Sequence, residues 1–176
     1  MTPSPLIDGD MVIRPLLPTD QPEIARLANN LSIWNNLRDA MPHPYTELDA
    51  AAFIKGAQIF GPNYTMAITQ KQQLCGIITL LTQSDIYAHS AEIGFWLGQE
   101  YWGQNLMTRA VSLYVEFGFS KLHLQRIYAR VFEYNKGSMR VLEKNHFEPE
   151  GIGRLAMQKN GKLWDEHRFA LIRPTS

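Results

Sequence analysis

Residues 92–147 read EIGFWLGQEYWGQNLMTRAVSLYVEFGFSKLHLQRIYARVFEYNKGSMRVLEKNHF. The pattern predicts a strand, a loop, a long helix, a second strand and a helix opened by Asn135. A strand–helix–strand run of this length makes its two strands parallel neighbours. Helix N-termini carry unpaired N–H groups and partial positive charge, so they suit phosphate. Two such ends beside two strand ends could hold a phosphorylated cofactor. In open α/β sheets ligands bind beyond the carboxyl ends of parallel strands, and residues 96–104 lie at such an end.

Working outward, residues 11–16 alternate as a strand. Asp20 with Glu23 reads as a capping pair for a first helix over about 21–30, whose apolar residues are Ile24, Leu27, Ala28 and Leu31. The proline-bearing stretch 41–45 is a loop. Thr46 with Asp49 opens a second helix that Gly61-Pro62 should end. Strands are expected at 64–69, 74–82 and 91–97, the first two joined by a tight polar turn. The long helix should cover 103–119, turning Leu106, Ala110, Leu113 and Phe117 inward. A strand at 125–132, a helix at 136–145 and a hairpin of 147–154 with 163–171 complete the chain, with Asn160-Gly161 as its turn.

Composition narrows the classes. The chain has 176 residues and is 45% hydrophobic, which suits one domain with a proper core. Lys plus Arg and Asp plus Glu both number 17, so no net field draws the chain to nucleic acid or an anionic membrane. The single cysteine, Cys75, sits in an apolar run and reads as a core residue in a reducing cytoplasm. The first ten residues lack a basic start and an apolar core, so no signal peptide is expected. No apolar run nears the roughly 20 residues that a membrane span needs. The five histidines have no metal-ligand spacing, and no metal is expected. Residues 1–176 are therefore read as one soluble, cytoplasmic α/β domain with a mixed sheet.

Two segments could bind an anion. In 100–108, Gly103 can adopt dihedrals closed to other residues and Asn105 tolerates the left-handed region. Such a loop can aim successive N–H groups at one phosphate. In 135–138, Asn135 is a good helix cap and Ser138 falls in the first turn. Each is also compatible with an ordinary helix start.

Together the motifs resemble the GNAT superfamily of acetyl-CoA-dependent N-acetyltransferases, and most of all its RimJ/RimL-type branch. The resemblance is carried by Glu92-Ile93-Gly94-Phe95-Trp96-Leu97, by Tyr101-Trp102-Gly103, and by Asn135-x-x-Ser138-x-Arg140-Val141-Leu142-Glu143-Lys144. Met41–Thr46 with Phe53-Ile54, and Glu150-Gly151 with Asn160-Gly161-Lys162 and Asp165, extend it over nearly the whole chain. The chain departs from the usual pattern at Asn105 and Met107, where a second glycine and a small residue are common. Leu142 stands where many relatives carry a tyrosine acid, and His146 where a glycine is usual.

The resemblance implies a GNAT-like, mostly antiparallel sheet with a parallel splayed pair and four main helices. It implies acetyl-CoA as cosubstrate, bound by Phe95, Trp96 and Leu97, by Gly103, Gln104, Asn105, Leu106, Met107 and Thr108, and by Asn135 and Ser138. Ser138 becomes the candidate proton donor to the leaving thiolate, since the tyrosine position is lost. Glu92, a carboxylate in an apolar strand, is the candidate base, with pairing to Arg130 as the structural alternative. Trp34, Arg38, His43 and Tyr45 lie where the family shapes its acceptor site. The acceptor is an amine on a protein or a small molecule, a protein N-terminus such as a ribosomal one among them. A homodimer is left open. The competing function is an acetyl-CoA-binding regulatory module with little or no turnover.

Overall fold

The computed structural model of the chain describes residues 3–58 and 63–174. Among them eight strands form one sheet in the order β1-β2-β3-β4-β5-β6-β8-β7. The strands are β1 (Leu6–Asp8), β2 (Met11–Pro15), β3 (Asn63–Gln70), β4 (Gln73–Thr82), β5 (Ser90–Leu97), β6 (Arg126–Phe132), β7 (Glu148–Lys159) and β8 (Lys162–Ile172). Every neighbouring pair is antiparallel except β5 with β6. The helices are α1 (Gln21–Ala28), α2 (Leu31–Trp34), α3 (Glu47–Gln58), α4 (Leu106–Ser120) and α5 (Lys136–Lys144). The four expected helices are present, and α2 adds a single turn that no periodicity announced. The expected stop at Gly61-Pro62 lies outside the described residues. β1 was not expected; it pairs with β2 through a turn at Gly9, where φ is 59°.

Local chemistry explains most element ends. The polar turn between β3 and β4 holds Lys71 and Gln72 at φ 49° and 69°, and the β7–β8 turn holds Asn160 and Gly161 at 52° and 73°. Two consecutive positive φ angles match the twist of a tight hairpin. Thr46 and Asp49 form the expected reciprocal cap of α3: the Thr46 N–H donates to Asp49 Oδ2 at 2.8 Å and the Asp49 N–H to Thr46 Oγ1 at 3.3 Å. Asp20 does not cap α1. Its carboxylate accepts from Arg14 at 2.7 and 2.8 Å and from the Leu17 N–H at 2.8 Å. A buried carboxylate takes a guanidinium in preference to a lone amide donor, because charge-assisted bonds are stronger.

The sheet is the middle of three layers over its β2–β5 half. Alternating side chains send Met66, Ile68, Ile78, Leu80, Ile93 and Leu97 toward α4 and α5, and Ala67, Leu74 and Ile77 toward α1 and α3. Cys75 is buried, as expected, and burial pushes its thiol up to about 11. On α4 the inward face is turned slightly from the expected stripe. Leu113 is only partly buried, whereas Tyr114 is fully buried and donates its hydroxyl to Tyr64 O at 2.6 Å. Burial pushes that phenol well above its usual range.

At the end of β5 the backbone of one strand presses on its neighbour. A Cβ on Gly76 would stand 2.2 Å from Trp96 O and 2.9 Å from Leu97 Cα. Gly76→Ala should therefore lower stability by at least the ~1–3 kcal/mol of an overpacked core, read as a reduced urea midpoint. Gly56→Ala is the internal control. It lies in α3 with nothing within 4 Å of the added methyl, so it should gain about 0.4–1 kcal/mol.

Candidate functional site

The β5–β6 ladder is three residues long. Ser90 pairs with Arg126, Ala91 with Ile127 and Glu92 with Tyr128. Beyond Glu92 the two strands share no pairing, although β5 continues along β4 to Leu97 and β6 along β8 to Phe132. The sheet thus divides into two arms at the carboxyl ends of its parallel pair. A run of β5 backbone polar groups faces the gap without a strand partner, and such groups need other partners if buried.

The loop leaving β5 is fixed to α1. Arg26 binds Glu100 at 2.8 and 3.1 Å, and Asn30 donates to Gln99 at 2.8 Å. The guanidinium beside it holds the Glu100 carboxyl below its usual range. Trp102 turns back and donates its indole N–H to Leu97 O at 2.9 Å. The chain then enters α4 through Gly103 (φ 74°) and Asn105 (φ 60°), both in the left-handed region, as their residue types suggested. The Asn105 side chain makes no capping bond. The first backbone bond of the helix runs from Arg109 N to Asn105 O. The N–H groups of Leu106, Met107 and Thr108 therefore have no helical acceptor. A Cβ on Gly103 would meet nothing within 4 Å. An uncapped helix start beside open space is what an anion such as a pyrophosphate fits, so these residues are compatible with a CoA-type ligand.

α5 follows β6 through Asn135, whose side-chain oxygen accepts from the Ser138 N–H at 3.1 Å. The amide nitrogen of Asn135 is left to donate. The two helix starts do not converge on one anion. Asn145, at the far end of α5, donates to Thr108 O at 3.1 Å and to Val141 O at 2.9 Å. Nine residues of helix separate Asn135 from that contact, about 13 Å. The α4 and α5 starts thus face different parts of an extended ligand.

A family model described as acetyltransferase (GNAT) domain matches residues 10–148. The chain belongs to the GNAT acetyltransferase family. It is 40% identical over 103 residues to "Probable N-acetyltransferase YjcK" of Bacillus subtilis, covering 58% of this chain and 56% of that protein. It is 25% identical over 140 residues to the spermidine N(1)-acetyltransferase of Escherichia coli, covering 79% and 73%. Its fold matches RimL, a ribosomal L7/L12 α-N-protein acetyltransferase solved with coenzyme A, with a TM-score of 0.86, 19% identity and coverage of 96% and 98%. The chain spans about half the length of several curated relatives it matches.

On this GNAT frame the expected cofactor residues fall on three elements around the fork. Phe95, Trp96 and Leu97 lie on the stretch of β5 that pairs with β4 but not with β6, Gly103–Thr108 at the start of α4, and Asn135 and Ser138 at the start of α5. Phe95 and Leu97 pack toward one core cluster and Trp96 toward the other. Leu106 and Met107 are buried as well. Glu92, the expected base, is the last paired residue of β5. Its Oε1 accepts from Arg38 at 2.6 Å and its Oε2 from Arg130 at 2.8 Å. To take a proton it would have to weaken two charge-assisted bonds, and the bond to Arg130 is the structural alternative that the sequence had offered beside the base role.

The expected acceptor residues divide. Arg38 reaches Glu92, as described. Trp34 donates its indole N–H to Met41 O at 2.8 Å, and its ring lies 5.7 Å from that of His43 and 3.5 Å from Lys159 Nζ. Tyr45 packs in the core between α1 and α3 and does not line the loop surface; burial pushes its phenol up to about 12.

A cleft of about 420 Å³ opens beside the fork, lined by Ser32, Asn35, Asn36, Trp102, Tyr134, Lys159, Asn160 and Trp164. Its size suits a small ligand or a chain terminus. Tyr134 bridges to the loop after α2 through Asn35 O and meets Trp164 edge-on at 4.8 Å. Lys159 is only 2% exposed and donates to Leu37 O at 3.0 Å and Asp39 Oδ1 at 2.6 Å. Asn36 Oδ1 is buried and has no hydrogen-bond partner. Of this lining, sequence reasoning had quoted only Trp102, in the Tyr101-Trp102-Gly103 motif, and Asn160, in the hairpin turn, and named none as a site residue. A further available signal was Tyr134, placed just past the carboxyl end of a parallel strand.

Asn145 ties α5 to the first turn of α4, so its loss should cost about 1–3 kcal/mol through an unmet buried carbonyl. Asn145→Asp adds a pH signature. Facing two carbonyls, the carboxyl is held protonated in the folded state, so its pKa rises above the unfolded value. The variant should be most stable below about pH 4, the ordinary Asp range, and lose stability as pH rises through the raised value. Melting temperature against pH checks this, and a flat difference from the parent would remove Asn145 from the helix junction.

Proposed function

We propose that the chain is an acetyl-CoA-dependent N-acetyltransferase acting on a primary amine in the cleft beside the fork. The observation that carries the reading is the opening of β5 from β6 beyond Glu92, next to an uncapped α4 start. The thioester of acetyl-CoA supplies the activated acetyl group. The β5 backbone N–H groups around Phe95–Leu97 hold the amide-bearing arm as an added strand would and polarise the carbonyl. The N–H groups of Gln104–Thr108 receive the pyrophosphate, and the free amide donor of Asn135 holds the arm from the other side.

The chain supplies position first and proton transfer second. A thiolate is a good leaving group, with a thiol pKa of about 8.5, so the half-buried Ser138 hydroxyl at the α5 start is sufficient as its donor. The amine loses its proton to water. An α-amine, with a pKa near 8, needs no strong base at neutral pH, whereas a lysine-like amine does. With Glu92 engaged by two arginines, the site favours an α-amine.

The cleft lining points the same way. It contains no carboxylate, and its one cation, Lys159, is paired with Asp39. A polyamine carries several positive charges and binds best among acids, so a peptide or protein N-terminus suits the aromatic and amide lining better. The single buried free thiol is at home in a reducing, cytoplasmic setting.

The test is thiol release from acetyl-CoA with N-terminal peptides, amino acids, polyamines and aminoglycosides. Turnover with N-terminal peptides above all others is expected. Tight acetyl-CoA binding with no turnover on any acceptor would replace the reading by a binding module. Asn135→Ala should weaken CoA binding about fivefold, from the loss of one hydrogen bond worth about 1 kcal/mol. Unchanged calorimetric affinity would take Asn135 out of the site.

A further inference from the structure

Glu92 sits where three pieces of the structure meet. It is the last β5 residue paired with β6. Arg130, which it binds, lies on β6 two residues past the paired Tyr128 and so beyond the fork. Arg38, which it also binds, lies in the loop between α2 and α3. The carboxylate is 9% exposed, against 63% for Arg38 and 42% for Arg130. Each oxygen serves a different guanidinium. The bridge to Arg130 thus closes the fork at the point where the ladder stops.

The loop that carries Arg38 is held elsewhere from the other arm of the sheet. Tyr134, just past β6, donates to Asn35 O. Lys159, at the end of β7, donates to Leu37 O and Asp39, and Asn160 donates to Asn35 Oδ1 at 2.9 Å. Among the described residues, Arg38 makes the one hydrogen bond from this loop to β5. Asn35 and Asn36 of the same loop line the cleft.

We propose that Glu92 is a positioning residue that couples the two halves of the site. Through Arg130 it sets the width of the fork that receives the cofactor arm, and through Arg38 it draws the acceptor loop onto the same fork. Filling the gap between β5 and β6 then steadies residues 35–44, and a steady loop in turn favours a filled gap, as linkage requires. This rests on the reading that CoA enters the fork. Removing Arg38 leaves Glu92 paired to Arg130 and cuts only the loop. Removing the Glu92 charge leaves two guanidiniums facing each other, so Glu92→Gln harms both halves and is the more destabilising change.

The experiment is hydrogen exchange of the whole chain with and without saturating CoA, on the parent, Arg38→Met and Arg38→Lys. Arg38 is largely exposed, so its variants should fold, which an unchanged melting temperature verifies. In the parent, CoA should slow exchange both at the α4 start and across residues 35–44, the latter about tenfold, within the range of coupled sites. In Arg38→Met the α4 start should still be protected while the loop changes less than about twofold, and Arg38→Lys should recover part of the loop response. No CoA binding to the parent would defeat the functional reading itself. Protection at α4 without any at the loop in the parent, or equal loop protection in Arg38→Met, would overturn the coupling alone. A parallel check uses Glu92→Gln turnover on an active peptide. A positioning role scales the pH profile without changing its shape, whereas selective loss of the low-pH limb would restore Glu92 as the base.

Discussion

The structure depends on a ladder that stops after three pairs. β5 and β6 are joined at Ser90, Ala91 and Glu92 and then separate, while each keeps its other neighbour. A sheet interrupted in its middle must satisfy the exposed backbone groups and must also keep its two arms from drifting. Side chains do both at the edges of the opening. Glu92 and Arg130 close its base, and the Trp102 indole takes the carbonyl of Leu97 at its far end. What stays open is the short stretch between, and a ligand with its own amide groups can complete it. The cost of the interruption is thereby confined to the place where it is useful.

The helices follow from the same constraint. The loop that starts where β5 ends carries the chain from Leu97 to the start of α4 at Leu106, whose first N–H groups have no helical acceptor. The left-handed Gly103 and Asn105 make the turn, and two tight approaches bring β5 into place. Gly76 lets the Trp96 carbonyl press on β4. Gly98 sits against Leu27 of α1, where a Cβ would stand 2.5 Å from Cδ2. The ion pair of Arg26 with Glu100 is exposed and worth little alone. Its value is geometric, because Asn30–Gln99 restrains the same loop beside it. A loop held at several points presents its backbone to a ligand at smaller entropic cost than a free one.

Much of the fold was legible because its signals are local. Period-2 and period-3.6 patterns, the Thr46–Asp49 cap and the Asn160-Gly161 turn need no distant partner to be read. The errors share a cause. Asp20 looked like a cap until Arg14 of β2 claimed it. For Glu92 the pairing with Arg130 was foreseen, but Arg38, 54 residues away, was not legible as a second partner. Tyr45 is in the expected loop, but the family resemblance put it at the acceptor site, whereas the loop folds its ring between α1 and α3. The cleft is the extreme case. Its lining comes from α2, from the loops after α2 and before α4, from the end of β6 and from the β7–β8 hairpin, so no window of sequence contains it. Helix starts and strand ends were readable, since they have local signatures, while side chains brought together by the sheet had none.

The two sides of the site also differ in what holds them. The fork side is built of main chain: N–H groups of β5 and of the first turn of α4, with buried side chains behind them. There the Asn105 side chain leaves the helix start uncapped and Met107 turns into the core. The cleft side is built of side chains on a loop, tied by Arg38, Tyr134, Lys159 and Trp34 to elements that belong to different arms of the sheet. Main-chain geometry tolerates substitution, whereas a loop held by four individual side chains is reshaped by changing any one of them. The unpartnered Asn36 oxygen belongs to that loop and lies beside the cleft.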